Sequence, residues 1–258
     1  YSQIESMKGK AEVKVSAYIV ELYLDQLVDL CWKYNQKKTK QHETAPRLDI
    51  KKDAKGMVVI KGVRIEEVDG KDALLHLFDH ACSVRHVGST KMNATSSRSH
   101  LNFSIMIEVK DLQTKKVSVG KLTLVDLAGS EKASKTDATG ERLREGMSIN
   151  KSLSALGNVI SALSSGKSFV PYRDNLLTRL LSDSLGGNAK TLMFVNTSPA
   201  DFNADETRSS CIYASRVKLI TNDAKKDSAD AETQRLRTII NEFVQTGSSK
   251  TLEEGGMS

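Results

Sequence analysis

The chain is poor in residues that staple or interrupt a fold. Its 258 residues include three prolines, one tryptophan and three cysteines. Cys31, Cys82 and Cys211 are odd in number and lack metal-binding spacing, which sets aside a disulfide framework and a cysteine zinc site and fits a reducing, cytosolic compartment. No apolar run reaches the ~18 residues that a membrane span needs, and no basic–apolar–small leader opens the sequence. There is no internal repeat. There is also no G-x-x-x-x-G-K-[ST] loop. The nearest string runs from Ser161 to Ser168 and ends in Gly166-Lys167-Ser168, but Ser161 stands where the first glycine belongs. That string also follows a helical pattern, whereas a phosphate loop follows a strand and opens a helix. Without the loop, the β- and γ-phosphates of a nucleotide lack their principal backbone cradle and its lysine.

What is present is charge and alternation. The formal net charge is +6 and the pI about 9.1. That balance favours an acidic partner, and charge alone leaves nucleic acid, anionic membrane and an acidic protein polymer open. Apolar content of 39% is enough for a core, although aromatics make up only 5%. Residues 1–11 read as the tail of a helix, 13–24 as a long strand and 33–40 as a basic loop. Two short strands flank the turn at Lys55-Gly56 within 48–64. Helical spacing covers 71–85, where Leu74, Leu75, Phe78 and Ala81 share a face. Further on, 131–147 reads as a charged loop, 148–163 and 171–185 as helices, 191–195 as a buried strand and 203–218 as a helix with a capping box at Asn203 and Glu206. Strands mixed with helices predict an α/β fold with helices on both faces of a sheet.

The chemistry concentrates in residues 93–131. One motif is Asn93-Ala94-Thr95-Ser96-Ser97-Arg98-Ser99-His100; the other is Asp126-Leu127-Ala128-Gly129-Ser130-Glu131. Between them Leu101, Phe103, Ile105, Ile107 and Val109 alternate with mostly polar residues, a polar turn follows at 111–116, and Leu122, Leu124 and Val125 lead into Asp126. An antiparallel hairpin would bring both motifs to one end of the sheet. There they would offer hydroxyls, a guanidinium, two carboxylates and a glycine backbone, an inventory suited to a metal-bound phosphate chain. A strand-end Asp126 can hold a Mg²⁺-bound water. The backbone of Gly129 can approach a phosphate because no Cβ intervenes. Ser97, with Ser96 as second choice, can coordinate the metal. His100 reads as a structural residue.

These motifs resemble the two nucleotide-sensing switches of kinesin motor domains. The resemblance continues through Ser148-Ile149-Asn150-Lys151-Ser152-Leu153, Pro171-Tyr172-Arg173 and residues 183–191, and spans roughly 10–220. In finer wording it is similar to the C-terminal-motor class, and within it to the kinesin-like calmodulin-binding proteins. The resemblance implies a P-loop-NTPase-like kinesin motor fold with a central mixed sheet, of which residues 1–220 would form the C-terminal two-thirds. The N-terminal strands and P-loop would then be absent from this chain. It implies ATP and Mg²⁺ as cofactors, with Arg98, Glu131, Gly129 and Ser97 catalytic, Asn93, Ser96, Ser97, Asp126 and Gly129 around the nucleotide, and Ser97 and Asp126 at the metal. Arg98 and Glu131 would form a salt bridge that closes the site. It implies a microtubule-binding face at Lys132, Lys135, Arg142, Arg144, Lys151, Arg173 and Arg179, acidic tubulin as partner, and Asn150 as the residue through which the 148–163 helix responds to nucleotide. Met147 and Leu176 depart from the family pattern, where basic residues are frequent.

The expected activity is therefore a microtubule motor ATPase of the cytoplasm and cytoskeleton, spindle or axoneme included, with the 258 residues inactive by themselves. A non-catalytic microtubule-binding structural protein derived from a kinesin is the alternative. No nucleic acid or membrane partner is implied. Residues 221–246 read as a linker and amphipathic helix, in which Leu236, Ile239, Ile240, Phe243 and Val244 share a stripe and Arg235 and Arg237 lie on the polar side. Docking on its own domain, dimerisation and binding of a calmodulin-like regulator at 231–246 are the readings of that helix, and a coiled-coil dimer would otherwise form through segments outside this chain. Residues 247–258 read as a disordered tail.

Overall fold

The computed structural model describes residues 1–40, 44–85, 98–130 and 140–222, with the side chains of 141–143 excepted. The expected helix and disordered segment beyond 222 lie outside the described residues. A short helix, α1 (Ser2–Ser6), leads into the longest strand, β1 (Ala11–Tyr23). β1 pairs antiparallel with β2 (Gln26–Asp29), with the two-residue β5 (Glu66–Glu67) and with β6 (His100–Asp111); β6 pairs antiparallel with β7 (Val117–Asp126). The path is β2-β1-β6-β7, and β3 (Asp49–Lys52) with β4 (Val58–Lys61) forms a separate hairpin. Every pairing among the described residues is antiparallel, so the parallel pairs of the expected mixed sheet are not formed among them.

The alternation of β1 decides how the layers assemble, because successive side chains of a strand leave opposite faces. Val15, Ala17 and Ile19 face α2 (Leu30–Thr39) and α3 (Lys71–Cys82), joined by Leu101, Phe103 and Ile105 of β6. Tyr18, Val20 and Leu22 face the other way. They meet Ile50, Val58 and Ile60 of the small hairpin, Leu156 and Ile160 of α4 (Glu141–Ser164), and Leu177, Leu180 and Leu181 in and just after α5 (Leu176–Leu180). Tyr213 and Val217 of α6 (Ala204–Val217) pack on that second layer. Helices thus cover both faces, as expected of the α/β class.

Several local expectations fail for identifiable reasons. The basic stretch 33–40 is largely helix, because Asp29 caps α2 by accepting from the Trp32 N–H at 2.9 Å and Lys37 and Lys38 sit at the favourable C-terminal end of the dipole. α4 begins at Glu141, seven residues before the expected start. The second expected helix is interrupted: Asn175 is extended, with φ −147° and ψ 153°, and its side chain caps α5 through the Leu177 N–H at 2.8 Å. The capping box at Asn203 is not made; its amide donates instead to Ser198 Oγ at 3.1 Å. Residues 191–195 are not a strand. Leu192 and Phe194 are 77% and 79% exposed, so the apolar run lacks a partner among the described residues.

A buried ion pair ties the layers together. Lys121 Nζ of β7 lies 2.6 Å from Asp183 Oδ2 and donates to the Val58 carbonyl at 2.8 Å, while the Val58 N–H donates to the same Asp183 oxygen at 2.8 Å. The two side chains are 10% and 4% exposed.

Candidate functional site

The β6–β7 hairpin does bring the two motifs together. Leu101 pairs with Asp126, so the residues just before β6 and just after β7 share one end of the sheet. Asn93, Ser96, Ser97, Glu131, Lys132 and Lys135 lie outside the described residues, and so does the expected Arg98–Glu131 bridge. Arg98, Asp126, Gly129 and Asn150 are described.

Arg98 engages a residue that the sequence reading missed. Its Nη1 lies 2.6 Å from Glu145 Oε2, in the second turn of α4. The other oxygen of Glu145 accepts from the Tyr23 hydroxyl at 2.7 Å. The Glu145 side chain is 6% exposed, so this is a charge-assisted bond in a dry setting, stronger than a surface pair. Nothing local in the sequence marks Glu145, because its partners lie 47 and 122 residues away.

Asp126 also has an unforeseen neighbour. Arg85, just beyond α3, places Nη1 3.1 Å from Asp126 Oδ2, Nε 3.1 Å from Ser99 Oγ and Nη2 2.8 Å from the Ser99 carbonyl. The buried Glu21 carboxylate is 4.0 Å from Arg85 Nε. Arg85 thus ties the first motif to the end of β7. The Asp126 side chain remains 61% exposed. An exposed strand-end carboxylate suits a hard cation that keeps its waters, the habit of Mg²⁺ rather than of an all-protein cage. No group of three His, Cys, Asp or Glu side chains that could hold a metal ion clusters among the described residues. Asp126 would hold such an ion through water, with the serine hydroxyls of the first motif as further donors.

His100 is the junction between both motifs and α4. The Ala128 N–H donates to His100 Nδ1 at 3.0 Å, so Nδ1 carries no proton. Nε2–H therefore donates to Ser152 Oγ at 2.7 Å, and the Ser152 hydroxyl donates onward to the Ile149 carbonyl at 2.8 Å. Burial, reinforced by Arg85, pushes the imidazole pKa down to about 4. This neutral, buried histidine fits the structural reading. The sign of its effect on stability follows. The unfolded chain takes up a proton near pH 6.5 and the folded chain only near 4, so stability is complete above about 6.5 and falls as the pH drops through that window. At full protonation the loss is about 3 kcal/mol. Urea midpoints of wild type and His100→Gln between pH 7.5 and 4.5 test this: wild type is expected to lose the additional stability, and equal pH slopes for the two would refute it.

The cationic face is less free than its charge run suggests. Lys151 Nζ pairs with Asp25 Oδ2 at 3.3 Å, and Arg179 donates to the Ile50 carbonyl at 2.9 Å with Asp49 at 3.6 Å. Arg144 and Arg173 are exposed; Arg142 lies in α4 and its side chain is among those excepted. Asn150 is half-buried in α4, two residues before the Ser152 contact. Met147 is 63% exposed, whereas Leu176 packs against two core clusters, so the departure at 176 concerns a position that faces the interior.

Comparison with known proteins gives the family. Residues 1–220 match the kinesin motor domain family. The kinesin-like protein KIN-14E of Arabidopsis thaliana is 49% identical over 240 residues, covering 93% of this chain and 18% of that protein. KIN-14I of Oryza sativa subsp. japonica is 49% identical over 231 residues, 90% of this chain and 18% of that protein. Among solved structures, that of a fast kinesin superposes with a TM-score of 0.74 at 39% identity, covering 88% of this chain and 61% of that one. A KIF14 dimer bound to a microtubule with AMP-PNP superposes with a TM-score of 0.76 at 33% identity, covering 87% and 63%. The chain spans about a fifth of its curated relatives and about three-fifths of these solved chains. A family match over residues 1–220, with solved kinesins superposing on the same fold, leads to one assignment: the chain belongs to the kinesin motor domain family.

Proposed function

We propose that the chain is the switch-bearing and track-binding portion of a microtubule motor that couples ATP hydrolysis to movement. One observation carries this reading: both motifs reach α4. Arg98 meets Glu145, while Ala128 and Ser152 meet on His100, so a shift at either motif is felt by the helix that follows the cationic loop. Bound Mg²⁺·ATP supplies the phosphate charge to which these residues respond. Arg98 would contribute charge stabilisation, Asp126 would hold the metal ion through water, and the Gly129 backbone N–H would be available to the terminal phosphate. Glu131, paired with Arg98, would close the site and position water. α4 with Asn150, Arg144 and Arg173 carries the change to acidic tubulin, where surplus cations speed association and make it salt-sensitive.

The phosphate cradle is supplied by residues other than these 258. β7 supports this, since it pairs only with β6 among the described residues while Leu122 and Leu124 are 53% and 52% exposed. The site of action is the microtubule cytoskeleton; residues 231–246 would be the place for a calmodulin-like regulator.

The test compares the complete protein with residues 1–258. Turnover of ATP by the complete protein should rise with microtubules. The isolated chain should bind ATP ~10³-fold more weakly, since each lost charge-assisted phosphate contact contributes a few kcal/mol. Tight ATP binding by the isolated chain would overturn the missing cradle. Microtubule binding without turnover by the complete protein would favour the non-catalytic alternative.

A further inference from the structure

The tip of the first hairpin is strained. Tyr23 pairs with Gln26, so Leu24 and Asp25 alone join β1 to β2. Both have positive φ, 47° and 57°. A two-residue turn of this kind favours Asn-Gly, and a leucine in left-handed backbone persists only where its surroundings over-determine it.

The surroundings are three elements of the proposed motor. Asp25 Oδ2 pairs with Lys151 Nζ of α4 at 3.3 Å, and Oδ1 accepts from Asn175 Nδ2 at 3.2 Å. Asn175 is the residue that caps α5. Leu24 and Asp25 also line a small cleft together with Arg98, His100, Ser148 and Ser152. The tip therefore sits where the first motif, α4 and the α5 cap meet. Stability does not explain it: Lys151 and Asp25 side chains are 66% and 37% exposed, and such pairs contribute little.

We propose that Asp25 is a positioning residue: the strained Leu24–Asp25 turn delivers its carboxylate to Lys151 and Asn175, seating α4 and the α5 cap against the nucleotide-sensing end of the sheet. Its consequence for activity rests on the motor reading above. Its structural part does not.

The test uses Asp25→Gly and Asp25→Asn in the complete protein. Glycine suits the backbone and removes the carboxylate; asparagine tolerates left-handed φ and keeps an oxygen for Asn175. Asp25→Gly should retain its thermal midpoint and basal ATP turnover, exchange α4 amides faster, and lose about fivefold in microtubule-stimulated kcat, the lower end of ordinary coupling, with KM for microtubules little changed. Asp25→Asn should fall between it and wild type. Wild-type exchange in α4 of Asp25→Gly would overturn the positioning role. Faster exchange with unchanged stimulated kcat would overturn its link to activity. If wild type shows no stimulation, the motor reading fails, and amide exchange alone decides the role of Asp25.

Discussion

Replacing Arg98 by alanine in the complete protein is expected to lower microtubule-stimulated ATP turnover by about 10³-fold, the range for removing a positioned guanidinium from phosphoryl transfer. Two effects combine in that variant. The transition state loses a cation. The nearly buried Glu145 keeps only the Tyr23 hydroxyl of its two donors described above, which costs about 1–3 kcal/mol of stability. Arg98→Lys separates them. Lysine can still satisfy Glu145 but cannot reproduce the planar fork, so stability should recover while turnover stays low. Steady-state turnover and thermal unfolding of both variants supply the comparison. A folded Arg98→Ala protein with near wild-type turnover would remove Arg98 from the site.

The second large effect concerns the Lys121–Asp183 pair. Asp183→Ala leaves a buried ammonium without its carboxylate and the Val58 N–H without its acceptor. Losing one member of such a pair costs about 3–5 kcal/mol. For a domain of this size that lowers the unfolding temperature by about 10 °C. The double variant Lys121→Met/Asp183→Leu should recover only part of the loss, because it removes the unpaired buried charge but leaves the Val58 N–H and carbonyl without these partners. Calorimetry on the three variants decides it; a single-variant shift of under 2 °C would show that the pair is solvated.

The hairpin between the motifs was legible because its signals are local: alternation, a polar turn at 111–116, then alternation again. Antiparallel geometry alone then placed Arg98 and Asp126 at one end. Glu145 and Arg85 were illegible, since which carboxylate or guanidinium turns inward depends on chain folded back from 40 or more residues away. The same holds for the cations: Lys151 and Arg179 belong to a charge run in sequence, yet each reaches a partner inside the molecule. Residues 191–195 fail in the opposite sense. Their composition favours a strand, but a strand also needs a neighbour, which composition cannot report.

The ladder between β1 and β6 sets the order of events in synthesis. Its outermost pair is Ala11 with Asp111 and its innermost Leu22 with His100, so the central strand waits for about a hundred residues of chain before half its hydrogen bonds can form. Closing so long a loop is slow. During translation at ~5–20 residues per second, β1 and its apolar side chains remain exposed for several seconds, a window in which chaperones have access to the nascent chain.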